Sequence, residues 1–262
     1  MNQTIKKRWR MSGTEKSAIV LLSGGLDSTV CLWWAKKEPY KRVVCLTFLY
    51  GSKEEKVLKT VAKKLGELAE VSQHEFLTLD FLADFARRTN SALIQGSSTT
   101  LPHPTAQELE DFNKSQASAK AVWIPGRNLL FLAIAAAYAE TLKGKVDIIT
   151  GFNLEEGTTF PDNTQEFIDD FTRAASRGIL KAHVQIISPL AKLNKAAIIK
   201  LGKKLATPFE YSNSCYEPRG LDVAGRPIHC AHCESCQRRK RGFKESAVPD
   251  PTIYTPISRN EK

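Results

Sequence analysis

Long apolar runs are missing from the chain. No stretch of the 262 residues approaches the roughly 18 consecutive apolar positions that a helix needs to cross a bilayer. No apolar segment of signal-peptide length follows the basic residues Lys6, Lys7, Arg8 and Arg10. A membrane protein and a secreted protein are both excluded on this reading, and a cytoplasmic location is expected. Internal repeats are also absent. With 42% apolar and 25% charged residues, the composition is neither disordered, collagenous nor coiled-coil. At ~150 residues per domain the length allows one or two domains. A broad basic stripe is lacking too, although the net charge is +10. Residues 1–16 carry a net +4 and residues 237–244 a net +5, which leaves the rest nearly neutral. The excess sits in two short blocks, so no direct nucleic-acid contact is expected.

What is present alternates. Apolar runs at 18–22, 43–48 and 146–151 read as strands buried on both faces, and 74–79 and 184–188 read as two further strands. Between them, 27–37, 53–68, 128–142, 164–176 and 195–205 read as helices. Residues 95–118 are polar and aperiodic and are expected to form a long functional loop. The pattern predicts an α/β fold: a five-stranded, mostly parallel, doubly wound sheet. From Ser212 the sequence becomes short, polar, cysteine-rich and basic. The expected organisation is a basic arm over 1–16, a nucleotide-binding domain over 17–211, a small zinc-binding module over 212–246, and a tail over 247–262 that trails across the surface or is disordered.

Ser23-Gly24-Gly25-Leu26-Asp27-Ser28 lies between a buried strand and a helix. Glycines let backbone approach an anion, the helix start offers free N–H groups, and Ser23, Ser28 and Thr29 add hydroxyls. The loop is neither a dinucleotide fingerprint nor a Walker A loop, since the third glycine of one and the Gly-Lys-Ser/Thr of the other are missing. Asp27 would repel a bare phosphate but suits Mg2+ held against phosphates. A glycine turn with Asp27 as a helix cap is the plainer alternative.

Cys215, Cys230, Cys233 and Cys236 have the spacing C-x14-C-x2-C-x2-C. Tight turns let such thiolates converge on one Zn2+. An iron–sulfur cluster or a disulfide framework are the competing readings. With four thiols available, His229 and His232 are read as non-ligands. Cys31, Cys45, Trp33 and Trp34 read as packing residues. The basic block after Cys236 reads as local compensation for an anionic metal site, which leaves the N-terminal block free to bind something acidic.

Ser-Gly-Gly-x-Asp-Ser after a first strand resembles the pyrophosphate loop of the N-type ATP pyrophosphatases of the PP-loop superfamily. Further matches narrow the resemblance to the 7-cyano-7-deazaguanine synthase family of queuosine biosynthesis. They are Tyr50-Gly51, Ile124-Pro125-Gly126-Arg127-Asn128, Gly151-x-Asn153, Phe160-Pro161-Asp162, Glu166-Phe167, Ser188-Pro189-Leu190, Lys195, and the segment from Ser214-Cys215-Tyr216 to Gly242-Phe243. The resemblance implies ATP at Leu22, Ser23, Gly24, Gly25, Leu26, Asp27, Ser28 and Thr29. It places the deazaguanine substrate at Tyr50, Arg127, Asn128, Gly151, Asn153, Phe160 and Asp162, with Ser23, Asp27, Arg127 and Lys195 in the chemistry. Taken singly, Arg127 could be a surface ion pair, Asp162 a helix cap and Lys195 a solvated lysine.

The implied reaction is carbon–nitrogen ligation. A 7-carboxy-7-deazaguanine carboxylate attacks the α-phosphate of ATP, ammonia converts the acyl adenylate to an amide, and a second activation gives the nitrile. A homodimer is also implied. The departures cluster: Ser52, Lys53 and Glu54 stand where the family has Gln, a basic residue and His, and 156–164 differ from its Asp-x-Ser-Gly-Tyr-Pro-Asp-Cys-Arg. They raise a second expectation, a diverged enzyme that passes the activated acid to another amine such as a protein N-terminus. A third is a nucleotide-binding or tRNA-binding protein without turnover.

Overall fold

The computed structural model describes residues 16–105, 108–110, 112–142 and 144–256. The basic block before Lys16 lies outside the described residues. Strands β1 (Lys16–Leu21), β2 (Arg42–Leu49), β3 (Gln73–Thr78), β4 (Gly144–Ile149) and β5 (Ala182–Ile187) form one sheet in the order β3-β2-β1-β4-β5. Every neighbouring pair is parallel. Residues 43–49 of β2 are buried without alternation, as befits a strand covered on both faces.

Among the described residues the sheet is wrapped by α1 (Leu26–Ala35), α2 (Glu55–Leu68), α3 (Asp80–Arg88), α4 (Phe112–Ala121), α5 (Arg127–Leu142), α6 (Gln165–Gly178) and α7 (Lys195–Lys204). Val30, Leu32, Val61, Leu65, Ile198 and Ile199 from α1, α2 and α7 pack with Ala18, Val20 and Val43. On the opposite face Leu82, Leu132, Ala135 and Ile168 from α3, α5 and α6 pack with Ile19, Val44 and Val146. The sheet is therefore doubly wound, and the direction of strand succession reverses between β1 and β4. That reversal opens a crevice at their C-terminal ends, where open α/β sheets bind ligands. Among the described residues no helix is long and apolar enough to cross a membrane.

Three local expectations need correction. The segment read as a loop over 95–118 contains most of α4; among its described side chains the buried Ala119 and the core-packed Ala121 are too small to leave an apolar stripe. Helix α3 escaped the sequence reading because apolar residues lie on both its sides: Leu82 and Ala86 are buried, Phe81 and Phe85 exposed. The tail from Val248 does not simply trail. Ile253–Tyr254 (β7) pairs in parallel with Ile228–His229 (β6), and the Thr255 N–H donates to the His229 carbonyl at 2.9 Å. Residues 257–262 lie outside the described residues.

Helix α8 (Glu234–Ser246), capped by Cys233 and carrying Cys236 in its first turn, packs along α7. Gly242 makes the approach close: a Cβ there would stand 2.6 Å from Lys195 Cγ and 2.9 Å from Ile199 Cδ1.

Candidate functional site

The loop after β1 turns on Gly24, whose φ of +75° is costly for any residue with a side chain. Its carbonyl accepts the Asn213 N–H at 2.8 Å, so the loop is braced by the chain just before the cysteines. Gly25 caps α1 without a side-chain hydrogen bond, and the positive end of α1 faces the crevice. Gly151, at the end of β4, lets that strand approach: a Cβ there would lie 3.2 Å from both Asp27 Cβ and Ser28 N.

Asp27 occupies the first turn of α1, so it is not the helix cap. Its Oδ2 accepts Lys195 Nζ at 2.6 Å and Asn153 Nδ2 at 3.3 Å, while Oδ1 is buried with no partner. A buried carboxylate oxygen left unpaired costs about 1–3 kcal/mol. Its hard, anionic donor suits a divalent cation such as Mg2+. Lys195 is 9% exposed rather than solvated. Burial works against its charge, but Asp27, Glu156 and Glu155 hold the ammonium protonated. The Lys195 N–H also donates to Glu155 Oε1 at 2.8 Å. Burial disfavours ionised Glu155, yet that N–H with Arg241, Lys195 and Arg238 keeps its carboxyl below the usual range.

Across the crevice a cavity of about 320 Å³ is lined by polar groups from several strand ends and loops. Arg127, at the start of α5, is partly buried and lines the cavity rather than pairing at the surface. Desolvation opposes its charge, which the Tyr50 hydroxyl, Asp162 and Glu156 support. Burial raises the Glu54 carboxyl to about 7, and its Oε2 has no partner. Burial also raises Glu156, against the pull of Lys195, and Asp162, against the pull of Arg127. Apolar walls complete the cavity: Trp123 and Phe160 lie nearly parallel at 5.8 Å between ring centroids, and Phe48 stacks on Phe131 at 4.1 Å.

Most of the residues expected at the site converge there. Leu22, Ser23, Gly25, Leu26, Asp27, Ser28, Tyr50, Arg127, Asn128, Gly151, Phe160, Asp162 and Lys195 all line the cavity. Gly24, Thr29 and Asn153 stand behind it. Thr29 is fully buried with its hydroxyl donated to the Gly25 carbonyl at 2.7 Å. Asn153 accepts the Glu156 N–H at 3.1 Å while holding Asp27. Asp162 does not cap the following helix; Thr164 does, accepting the Phe167 N–H at 3.1 Å. Sequence reasoning missed Glu155, Trp123 and Phe131. No local signal marks Glu155, whose partners Lys195 and Arg241 lie far along the chain; Trp123 adjoins the Ile124-Pro125-Gly126 turn and could have been suspected.

Cys215, Cys230, Cys233 and Cys236 are buried, their sulfurs within 4.8 Å of one another, and could hold a metal ion. The Cys230 and Cys236 sulfurs are 3.9 Å apart. Backbone N–H groups of Cys230 and Cys233 donate to the sulfurs of Cys215 and Cys230 at 3.2 and 3.3 Å. Carboxylates outside the cysteine set pair with two arginines of the basic block that follows. Arg238 pairs with Glu234 at 2.7 Å, and Arg241 pairs with Glu155. Arg239 is fully buried and donates to Thr252, Ser212 and Ser214 hydroxyls and the Phe209 carbonyl at 2.6 to 3.1 Å.

The family model described as "Queuosine biosynthesis protein QueC" matches residues 17–247. The 7-cyano-7-deazaguanine synthase of Pyrococcus furiosus is 46% identical over 240 residues, covering 92% of this chain and 97% of that protein. The 7-cyano-7-deazaguanine synthase of Methanococcus maripaludis strain S2 is 41% identical over 242 residues, covering 90% and 98%. These relatives give no support to the expectation that the activated acid passes to a protein amine, and that reading is withdrawn.

Proposed function

The chain belongs to the queuosine biosynthesis protein QueC family, and on that premise we propose that it is a carbon–nitrogen ligase making 7-cyano-7-deazaguanine from 7-carboxy-7-deazaguanine, ATP and ammonia. The observation that carries this reading is the pairing of the glycine loop and half-satisfied Asp27 with a polar cavity at the β1–β4 crevice. In this reading the substrate carboxylate attacks the α-phosphorus of ATP and pyrophosphate leaves. Ammonia then displaces AMP from the acyl adenylate to give the amide. Adenylation of the amide oxygen and elimination of AMP give the nitrile.

The protein's own groups divide the work. The Gly24–Gly25 turn and the start of α1 take the phosphates, with Ser23 and Ser28 hydroxyls at the rim. Lys195 neutralises charge beside Asp27. Mg2+ on Asp27 would supply further stabilisation of the leaving pyrophosphate. Arg127, fixed by Tyr50 and Asp162, orients the substrate carboxylate, and Asn128, Gly151 and Phe160 complete its surroundings. The cysteines would hold Zn2+ as a structural centre. Four sulfurs on one tetrahedral ion at about 2.3 Å stand roughly 3.8 Å apart, close to the 3.9 Å seen for Cys230 and Cys236. An iron–sulfur cluster would spread them over separate irons and farther apart.

The test is incubation of purified protein with ATP, the acid and ammonium, followed by mass spectrometry. The nitrile is expected, together with pyrophosphate release that depends on the acid. Adenylate or amide without nitrile would sink the final step. Absence of acid-dependent pyrophosphate would leave a binding protein.

A further inference from the structure

His103, Glu217 and His232 come from segments remote in sequence, and their donor atoms lie within 4.8 Å of one another. His103 is exposed, in the segment leading into α4; Glu217 and His232 belong to the cysteine-rich region. The two imidazoles meet edge to face, with centroids 4.5 Å apart and planes at 77°. Both histidine backbones are held. Pro102 and Pro104 flank His103, and proline fixes its own φ while restricting the residue before it. His232 sits between Cys230 and Cys233, directly after Ala231 at φ +76°. Neither histidine has work at the cavity or among the four sulfurs.

We infer that His103, Glu217 and His232 form a second divalent-cation site, distinct from the four-cysteine centre. Two imidazoles and a carboxylate are a donor set suited to zinc, with a fourth position for water. Bonds of about 2.0–2.1 Å place tetrahedral donors roughly 3.4 Å apart. The donor atoms already lie within 4.8 Å of one another, so the closure required is small. Exposure makes the site exchangeable, unlike the buried sulfurs. Lys53 Nζ stands 3.7 Å from Glu217 Oε1 and competes for the same carboxylate.

An ion here would pin the segment before α4 to the cysteine-rich region. Ala119 of α4 and Tyr216, the residue before Glu217, both line the cavity. The cation would act as a clasp at the cavity's rim.

The test uses the full-length protein with its cysteine centre filled. Zn2+ titrated calorimetrically into it should show one further equivalent, and hydrogen exchange over residues 97–105 should slow on addition. His103→Ala and Glu217→Gln should each weaken this equivalent more than about tenfold, with the first equivalent retained by metal analysis. Lys53→Ala should tighten it. The inference falls if no further equivalent binds, if His103→Ala binds as tightly as the parent, or if Lys53→Ala weakens binding. His103 lies outside the cysteine turns, so its substitution does not confuse loss of this site with loss of the other.

Discussion

On the α8 side of the cavity Arg239 is fully buried, and each of its guanidinium nitrogens has a partner. On the β1 and β2 side Asp27 and Glu54 are partly buried, each with one buried oxygen unpaired. Both arrangements take charge out of water, and they differ in whether the protein answers that charge itself. Satisfied, the buried group holds architecture: Arg239 ties α8 to 209–214 and to Thr252 just before β7. Unsatisfied, it is a cost that a ligand can remove. Glu234, at the α8 rim of the cavity, shares the second trait through Oε2.

Three measurements can break or sharpen this contrast. Arg239→Met leaves the Ser212, Ser214 and Thr252 hydroxyls and the Phe209 carbonyl without their donor, and should cost about 3–5 kcal/mol of unfolding free energy in urea titrations. An unchanged midpoint would mean that Arg239 is not architectural. Asp27→Asn should lower acid-dependent pyrophosphate release about 10²–10³-fold, equivalent to about 2.7–4 kcal/mol in the barrier. Its effect on stability should be less than half that of Arg239→Met; the reverse pattern would dissolve the contrast. Glu54→Gln bears on pH. With its carboxyl near 7 in the folded state against an ordinary 4.5, the folded protein holds an extra proton between those values. Stability from this group is therefore present below about 4.5 and lost as pH rises through 7. Glu54→Gln should flatten that decline by about 3 kcal/mol in unfolding experiments from pH 4 to pH 8. A parallel pH profile would place Glu54 in contact with water.

The strands, the glycine loop and the four cysteines were legible because each is written locally: a continuous apolar run, a strand–glycine–helix junction, a two-residue spacing. Helix α4 was not, since alanine contacts leave no periodic signature. Nor was the setting of the charges. Asp27 and Lys195 are 168 residues apart in sequence, and Arg241 and Glu155 are 86 apart. A single sequence shows that such residues exist but not that they meet. The alternatives for Arg127, Asp162 and Lys195 stayed open for this reason; the structure places all three on the cavity wall.

The glycine at position 242 links the two sides mechanically. It lets α8 lie against the alkyl stem of Lys195, whose far end rests on Asp27. The spacing between those helices is thus a gauge block only one hydrogen thick. A methyl group there, six residues past the last cysteine, would be felt as a displaced charge at the end of the first strand.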